Sequence, residues 1–175
     1  MKSLSIQNTG FLAPKVASVS YIGHDTGGAD AIFAISGGWN RAYGVTAATT
    51  SSLIYNKGVV SISFYLKKIG SPTGTISFQM INASNALVQT YGTVAASSLT
   101  TSYVKTTVTG TRQVLGEDFS MIVIFDGGDA SNYVSMERQT TGSYDTTNTI
   151  MNIKDASNTW SQDDSRDARF EIGYT

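Results

Sequence analysis

Two short acidic clusters contain the residues of this chain best suited to binding a cation. Asp126 and Asp129 enclose a Gly-Gly pair, and Asp163 and Asp167 enclose a short polar run. Acidic loops and backbone carbonyls supply the oxygen ligands that Ca²⁺ prefers. Neither cluster has EF-hand spacing, and tight turns need Asp and Gly in any case. A structural calcium site at these four aspartates is therefore one hypothesis, and ordinary turn chemistry is the other.

Aromatic residues with polar neighbours form a second candidate site. Trp39 follows two glycines and precedes Asn40, Trp160 lies within a Ser/Asn/Thr-rich segment, and Tyr133 follows Asn132. Sugars stack their C–H faces on aromatic rings, and Trp and Tyr combine an apolar body with a polar group. The pattern predicts a glycan site at Trp39, Trp160 and Tyr133. The alternative for Trp160 is that it caps one end of the core.

Residues that could carry catalysis are few. His24 is the only histidine, it precedes Asp25, and no Gly-x-Ser-x-Gly motif accompanies it. We therefore predict a solvent-exposed loop histidine. The three glutamates, Glu117, Glu137 and Glu171, are predicted to lie in a turn or on wetted strand faces rather than to form a glycosidase pair. With one histidine and no cysteine, a zinc site is not expected, and the chain is predicted not to be an enzyme.

Charge and hydropathy limit which binding partners and which cellular location are expected. Lys67 and Lys68 make too small a basic patch for nucleic acid, and the net charge is −1. No apolar stretch follows Met1, so we expect no signal peptide in this sequence and no membrane insertion. Residues 1–110 carry a net charge of +5 and residues 111–175 a net charge of −6. We expect a Greek-key sandwich to intermix the two halves and disperse these charges. The alternatives are a dipolar subunit that docks head to tail and an acidic patch that holds a cation.

Composition and residue alternation predict an all-β fold. The chain has 44 Ser and Thr residues, 17 glycines and only 14% charged residues, which is typical of strands rather than helices. Polar and apolar residues alternate at period two in 59–68 and 75–82, which predicts an antiparallel hairpin around 70–74. Residues 119–125 are apolar on both faces, as in a central strand.

The alternating segments and the turns that separate them predict about ten strands. The segments are 16–22, 31–36, 59–68, 75–82, 86–94, 103–109, 119–126, 132–138, 149–154 and 169–174, with weaker signals at 41–46 and 52–55. Their spacing of eight to twelve residues predicts an antiparallel β-sandwich of jelly-roll topology. Residues 1–15 are predicted to form an N-terminal arm, and residues 16–175 a single domain.

Several segments resemble a group of jelly-roll surface modules found in bacterial, archaeal and viral extracellular proteins, similar to non-catalytic carbohydrate-binding modules. They are SISFYLKKIGSPTGT at 61–75, SSLTTSY at 97–103, GGDASNYV at 127–134, Trp160 and DARFEI at 167–172. The resemblance implies a non-catalytic sandwich displayed on a larger assembly. It also implies a structural calcium near the last strand, with Asp167 at the expected ligand position.

Together these features favour one function and leave a second open. The first is a non-enzymatic structural subunit, such as a capsid, decoration or fibre protein, that self-associates on an extracellular or viral particle. The second is a carbohydrate-binding module that recognises a glycan through loop aromatics. Either function predicts an extracellular or virion-surface location.

Overall fold

A computed structural model describes residues 17–24, 31–139, 144–145 and 148–175 of the chain. These residues form thirteen β-strands and one short 3₁₀ turn at Ala96–Ser98. The strands are β1 (Ser20–His24), β2 (Ala31–Ile35), β3 (Ala42–Ala47), β4 (Gly58–Ile69), β5 (Thr75–Ile81), β6 (Leu87–Ala95), β7 (Val104–Val114), β8 (Ser120–Ile124), β9 (Tyr133–Gln139), β10 (Thr149–Lys154), β11 (Trp160–Asp163), β12 (Asp167–Ala168) and β13 (Phe170–Tyr174). None of the described residues belongs to a helix long and apolar enough to cross a membrane.

The strands form two antiparallel sheets that pack face to face. Sheet A contains β1, β13, β4 and β7 in that order, with β9 pairing the far end of β4 and with β2 and β12 pairing β9. Sheet B has the order β11-β10-β3-β8-β5-β6. The sets β1-β13-β4-β7 and β3-β8-β5-β6 have the strand order of a jelly roll. The prediction of an all-β jelly-roll sandwich is confirmed, with thirteen strands instead of about ten.

The predicted hairpin between β4 and β5 is wrong, although both strands exist. β4 lies in sheet A and β5 in sheet B, so residues 70–74 cross from one sheet to the other. Phe64 of β4 faces Phe78 of β5 across the core, with ring centroids 6.3 Å apart. A hairpin and a sandwich corner both place one apolar face of each strand in the core. Alternation therefore specifies the buried face and not the pairing partner.

The predicted central strand is confirmed as β8, which lies between β3 and β5. Met121 and Val123 point into the core between the sheets, and Ser120 and Ile122 are also buried on the outer face of sheet B. The outer face is the one turned away from sheet A. A strand that is buried on both faces reads as a continuous apolar run, which explains why this element was predicted.

Other elements differ from the prediction. Residues 52–55 form turns, not a strand, with the Tyr55 N–H donating to Ser52 O, and Ile54 is buried in the core from this turn. β11 and β12 were not predicted, and β7 continues to Val114. The proposed N-terminal arm, residues 1–15, lies outside the described residues. The single-domain boundary therefore stays a prediction.

Candidate functional site

A cleft of about 410 Å³ lies on the outer face of sheet B. Its lining residues are Ala83, Asn85, Asp118, Asn152, Trp160, Ser161 and Gln162. Asn152 follows Met151 and precedes Ile153, both of which pack on the core, so its side chain points away from the core. Concave sites with a few convergent polar groups are the usual form of a ligand site. This cleft is the candidate functional site of the described residues.

The β10–β11 hairpin positions Trp160. Its backbone is paired with that of Lys154. Two hydrogen bonds close the turn between them: the Asp155 N–H donates to Thr159 O at 2.9 Å, and the Thr159 N–H donates to Asp155 Oδ1 at 2.8 Å. The Lys154 Nζ lies 5.7 Å from the centroid of the Trp160 ring. The indole is half-buried and is not part of the core cluster. The alternative in which Trp160 caps the core is therefore not supported.

A buried hydrogen-bond network fixes the floor of the cleft. The Asn152 Nδ2 donates to Ser120 Oγ at 2.9 Å and more weakly to Asn85 Oδ1 at 3.4 Å. Ser120 Oγ in turn bonds Thr46 Oγ1 at 2.6 Å. Because the Asn152 amide nitrogen makes both bonds, its carbonyl oxygen remains as an acceptor for a ligand. The floor is thus polar, oriented and held by three neighbouring strands.

Two turn residues, Asn85 and Asp118, also line the cleft. Asn85 has φ of 59° and Asp118 has φ of 58°, a left-handed conformation that Asn and Asp tolerate better than most residues. Asn82 fixes the first turn because its Oδ1 accepts the backbone N–H groups of Ser84 and Ala86, each at 3.0 Å. Turn geometry alone would explain the residue types. Their side chains nevertheless line the same cleft as the indole.

The cleft combines the groups that a polyhydroxylated ligand requires. The Trp160 ring offers an apolar face, and the amides of Asn85, Asn152 and Gln162 offer both donors and acceptors. Asp118 adds a carboxylate. Because the network holds the Asn152 amide in place, that group would bind a ligand with little loss of side-chain freedom.

The other two predicted aromatic residues lie outside the cleft lining. Trp39 and Tyr133 contact each other, with ring centroids 5.5 Å apart and an interplanar angle of 56°. Trp39 is 45% exposed. The loops that carry them are joined by the Gly37 N–H, which donates to Gly127 O at 2.9 Å. The structure therefore brings Trp39 and Tyr133 together, and it places Trp160 in a different set of neighbours.

The first pair of predicted calcium ligands has intramolecular partners. Asp126 lies 3.4 Å from the Arg41 guanidinium. Asp129 Oδ1 accepts the backbone N–H groups of Ser131 at 2.7 Å and Asn132 at 2.9 Å. The bond from Ser131, followed by the bonds from Asn132, lowers the pKa of Asp129. Asp129 thus stabilises its own turn, which is the alternative that the sequence left open.

The second pair lies elsewhere in the fold. Asp163 contacts Arg166 Nε at 3.4 Å and accepts a bond from Ser165 Oγ at 2.6 Å. Asp167 is 1% exposed and accepts the backbone N–H of Tyr144. Among the described residues, no group of three or more histidines and carboxylates is placed to hold a metal ion. Calcium at these four aspartates therefore stays a prediction.

The prediction that His24 lies exposed in a loop is wrong. His24 is the last residue of β1, paired with Phe170 of β13, and its side chain is 13% exposed. Its Nδ1 lies 4.0 Å from Asp167 Oδ2 and has no hydrogen-bond partner among the described residues. Burial, and then the charge of Arg169, lower the pKa of His24. Among the described residues, the carboxylate that lies beside this histidine thus comes from β12, far along the chain.

The glutamates of sheet A form ion pairs. Glu137 and Glu171 point outward as predicted, but Glu137 is only 8% exposed, so it does not lie on a wetted face. Arg169 donates to Glu137 Oε2 at 3.0 Å and stacks over the Tyr65 ring at 3.6 Å from its centroid. Glu171 accepts a bond from Lys105. These contacts explain both carboxylates as structural groups.

None of the five polar residues that line the cleft with Trp160 was predicted as a site residue. Asn85, Asp118, Asn152 and Gln162 come from separate turns and strands, and jelly-roll pairing brings them together. One local signal was present. Trp160 and Gln162 alternate with less bulky polar residues just after a turn-forming segment, which is the pattern of a second hairpin strand.

Comparisons with protein-family models, with curated proteins and with solved structures find no match to this chain. The resemblance to carbohydrate-binding modules therefore stays a prediction. Support for a function comes from the geometry of the cleft.

Proposed function

We propose that this chain is a non-enzymatic β-sandwich module that binds a glycan in the cleft of sheet B. The observation that carries the proposal is the half-buried Trp160 ring, placed beside oriented amides on the floor and wall of one cleft. A pyranose ring has apolar C–H faces and a rim of hydroxyls. It would stack on the indole and exchange hydrogen bonds with Asn85, Asn152 and Gln162.

Replacing Trp160 by Ala is expected to lower glycan affinity by about tenfold or more, because the stacking surface is lost while the polar floor remains. Retention of the purified chain on a panel of immobilised polysaccharides, followed by calorimetry on the best ligand, measures the effect. Trp39→Ala is the matched control, since it removes an exposed tryptophan that does not line the cleft. Equal losses in both variants, or none in Trp160→Ala, would remove the cleft from the proposal.

A second candidate function is a self-associating surface subunit of an extracellular or viral particle. The observation that favours it is a set of exposed apolar side chains on the two strands that end their sheets at one side of the sandwich. They are Leu87 and Val88 of β6 and Val104 and Val114 of β7. Edge strands with exposed apolar residues readily pair with other chains.

Self-association predicts a native mass that is a multiple of 18.6 kDa. Replacing Leu87 and Val104 together by Lys is expected to return the chain to the monomer mass, because charged edge residues oppose strand pairing. Light scattering after size exclusion measures this at several concentrations. Leu53→Lys serves as control, since Leu53 is exposed but lies on neither edge strand. A wild-type monomer at every concentration would exclude this candidate.

A further inference from the structure

Asp118 is the one charged side chain among the described residues that line the cleft. It is exposed, and no described cation forms an ion pair with it. The remaining lining groups are amides, a hydroxyl, an indole and a methyl group. Any charge selectivity of the cleft therefore begins with this carboxylate.

The backbone holds Asp118 in a fixed position at the wall. Its N–H donates to Ala47 O at 2.7 Å, and the Ala47 N–H donates to Phe119 O at 3.1 Å. These two bonds tie the turn before β8 to the end of β3. With φ of 58°, the residue occupies a conformation that Asn adopts as readily as Asp. The side chain thus projects from an anchored turn, and Asp118→Asn can remove its charge without straining that turn.

We propose that Asp118 makes the cleft selective for uncharged glycans over acidic ones, an inference that rests on the proposed glycan-binding function. A carboxylate only accepts hydrogen bonds, and sugar hydroxyls can donate them. A uronate or a sulfated sugar would place a second anion and a second set of acceptors in the same space. Specificity of this kind comes from repulsion of the wrong ligand as well as attraction of the right one.

Lys154 is a cation beside the Trp160 ring, and its charge would act in the opposite sense to that of Asp118. Its ammonium group lies 5.7 Å from the Trp160 centroid, and it is not among the cleft-lining residues. An acidic glycan could be drawn toward this cation. If Lys154 governed charge selectivity, wild-type protein would prefer acidic glycans, and Lys154→Gln would abolish that preference. The cleft-facing position of Asp118 favours the opposite order.

The test compares polysaccharides in matched neutral and acidic forms, such as hydroxyethyl against carboxymethyl cellulose and methyl-esterified against de-esterified homogalacturonan. Affinity electrophoresis of the full chain is expected to show stronger retention by the neutral form of whichever backbone binds. Asp118→Asn is expected to reduce the neutral-to-acidic ratio by about tenfold, because the like-charge repulsion disappears. Raising the salt concentration should reduce the wild-type ratio and leave that of Asp118→Asn unchanged.

Glu117→Gln is the matched control. It removes the same charge from the adjacent residue, which is exposed and does not line the cleft, so the ratio should remain that of the wild type. Equal or stronger wild-type retention by acidic polymers would overturn the inference. So would an unchanged ratio in Asp118→Asn while Trp160→Ala abolishes binding, and in both cases the proposed function would stand. Absence of retention on every polymer, or binding that survives Trp160→Ala, would overturn both.

Discussion

Replacing Phe78 by Ala is expected to lower the free energy of unfolding by about 3–5 kcal/mol. Phe78 is fully buried in β5 and contacts Phe64 of β4, so its removal opens a cavity between the two sheets. The strands on either side are paired along their length and cannot fully close that space. Denaturant titration of wild type and variant measures the loss when the unfolding free energies of both have the same dependence on denaturant concentration, that is, the same m-value.

The aromatic contact adds a second, smaller test of how the sheets face each other. A double-mutant cycle with Phe64→Ala should show a coupling energy of about 0.5–1.5 kcal/mol between the two rings. Leu53→Ala is the control, because that side chain is exposed and its loss should change stability by less than about 0.5 kcal/mol. A Phe78→Ala variant as stable as the control would contradict the packing described here.

Residue alternation was enough to predict most strands, because it reports a local property. Along β4, residues such as Ile62 and Phe64 are buried, while Tyr65 and Lys67 point outward. The polar or apolar type of neighbouring residues is enough to indicate this difference. Pairing is not local. β4 pairs with β7, β9 and β13, which lie far along the chain. The sequence of residues 58–69 does not identify these strands as its partners. The hairpin prediction failed for this reason.

The sequence predicted Trp160 of the cleft but not the other lining residues, again because strand pairing is not a local property. Trp160 stands out by its type and its polar neighbours. Asn85, Asp118 and Asn152 become neighbours only because β5, β8 and β10 belong to one sheet. Taken singly, each is an ordinary turn or strand residue. Their common function depends on a strand order that sequence patterns do not specify.

Local sequence patterns also failed to predict which ionisable side chains are buried. His24 was predicted to be exposed because glycines and aspartates follow it. It is enclosed because β13 pairs with β1 and because Tyr144 packs against it, with ring centroids 5.8 Å apart. Asp167 looked like a calcium ligand by position, but a polar run gives no sign that its last residue is buried. Both residues have shifted pKa values and therefore contribute to the pH dependence of stability.

Replacing Asp167 by Asn is expected to raise stability at pH 7 and above. Burial, with smaller contributions from Asp145 and Asp163, raises the pKa of Asp167 to about 6, from 3.8 in the unfolded chain. The folded state therefore binds a proton more tightly than the unfolded state. The stability that this provides is complete below pH 3.8 and is lost as pH rises through 6. The difference corresponds to about 3 kcal/mol, which is an upper value for the gain in Asp167→Asn.

His24 contributes with the opposite sign. Because burial and the charge of Arg169 lower its pKa below 6.5, the folded state favours the neutral imidazole. Its contribution is complete above pH 6.5 and is lost as pH falls below that value. The two contributions therefore oppose each other: as pH rises, wild-type stability falls between pH 3.8 and 6 because the Asp167 contribution is lost, and it rises toward pH 6.5 because the His24 contribution is gained. In Asp167→Asn the loss of stability between pH 3.8 and 6 should disappear, and the decline as pH falls below 6.5 should remain.

Denaturant midpoints measured from pH 4 to pH 8 separate these contributions. The gain in Asp167→Asn should approach its largest value above pH 6 and become small toward pH 4, where Asp167 is protonated in the folded state and more than half ionised in the unfolded chain. Asn keeps an acceptor for the Tyr144 N–H, so loss of that bond should not obscure the result. Asp164→Asn removes the same charge from an exposed position and should follow the wild-type curve. Parallel curves for Asp167→Asn and wild type would mean that burial does not raise the pKa of Asp167 in the folded state, and would contradict this prediction.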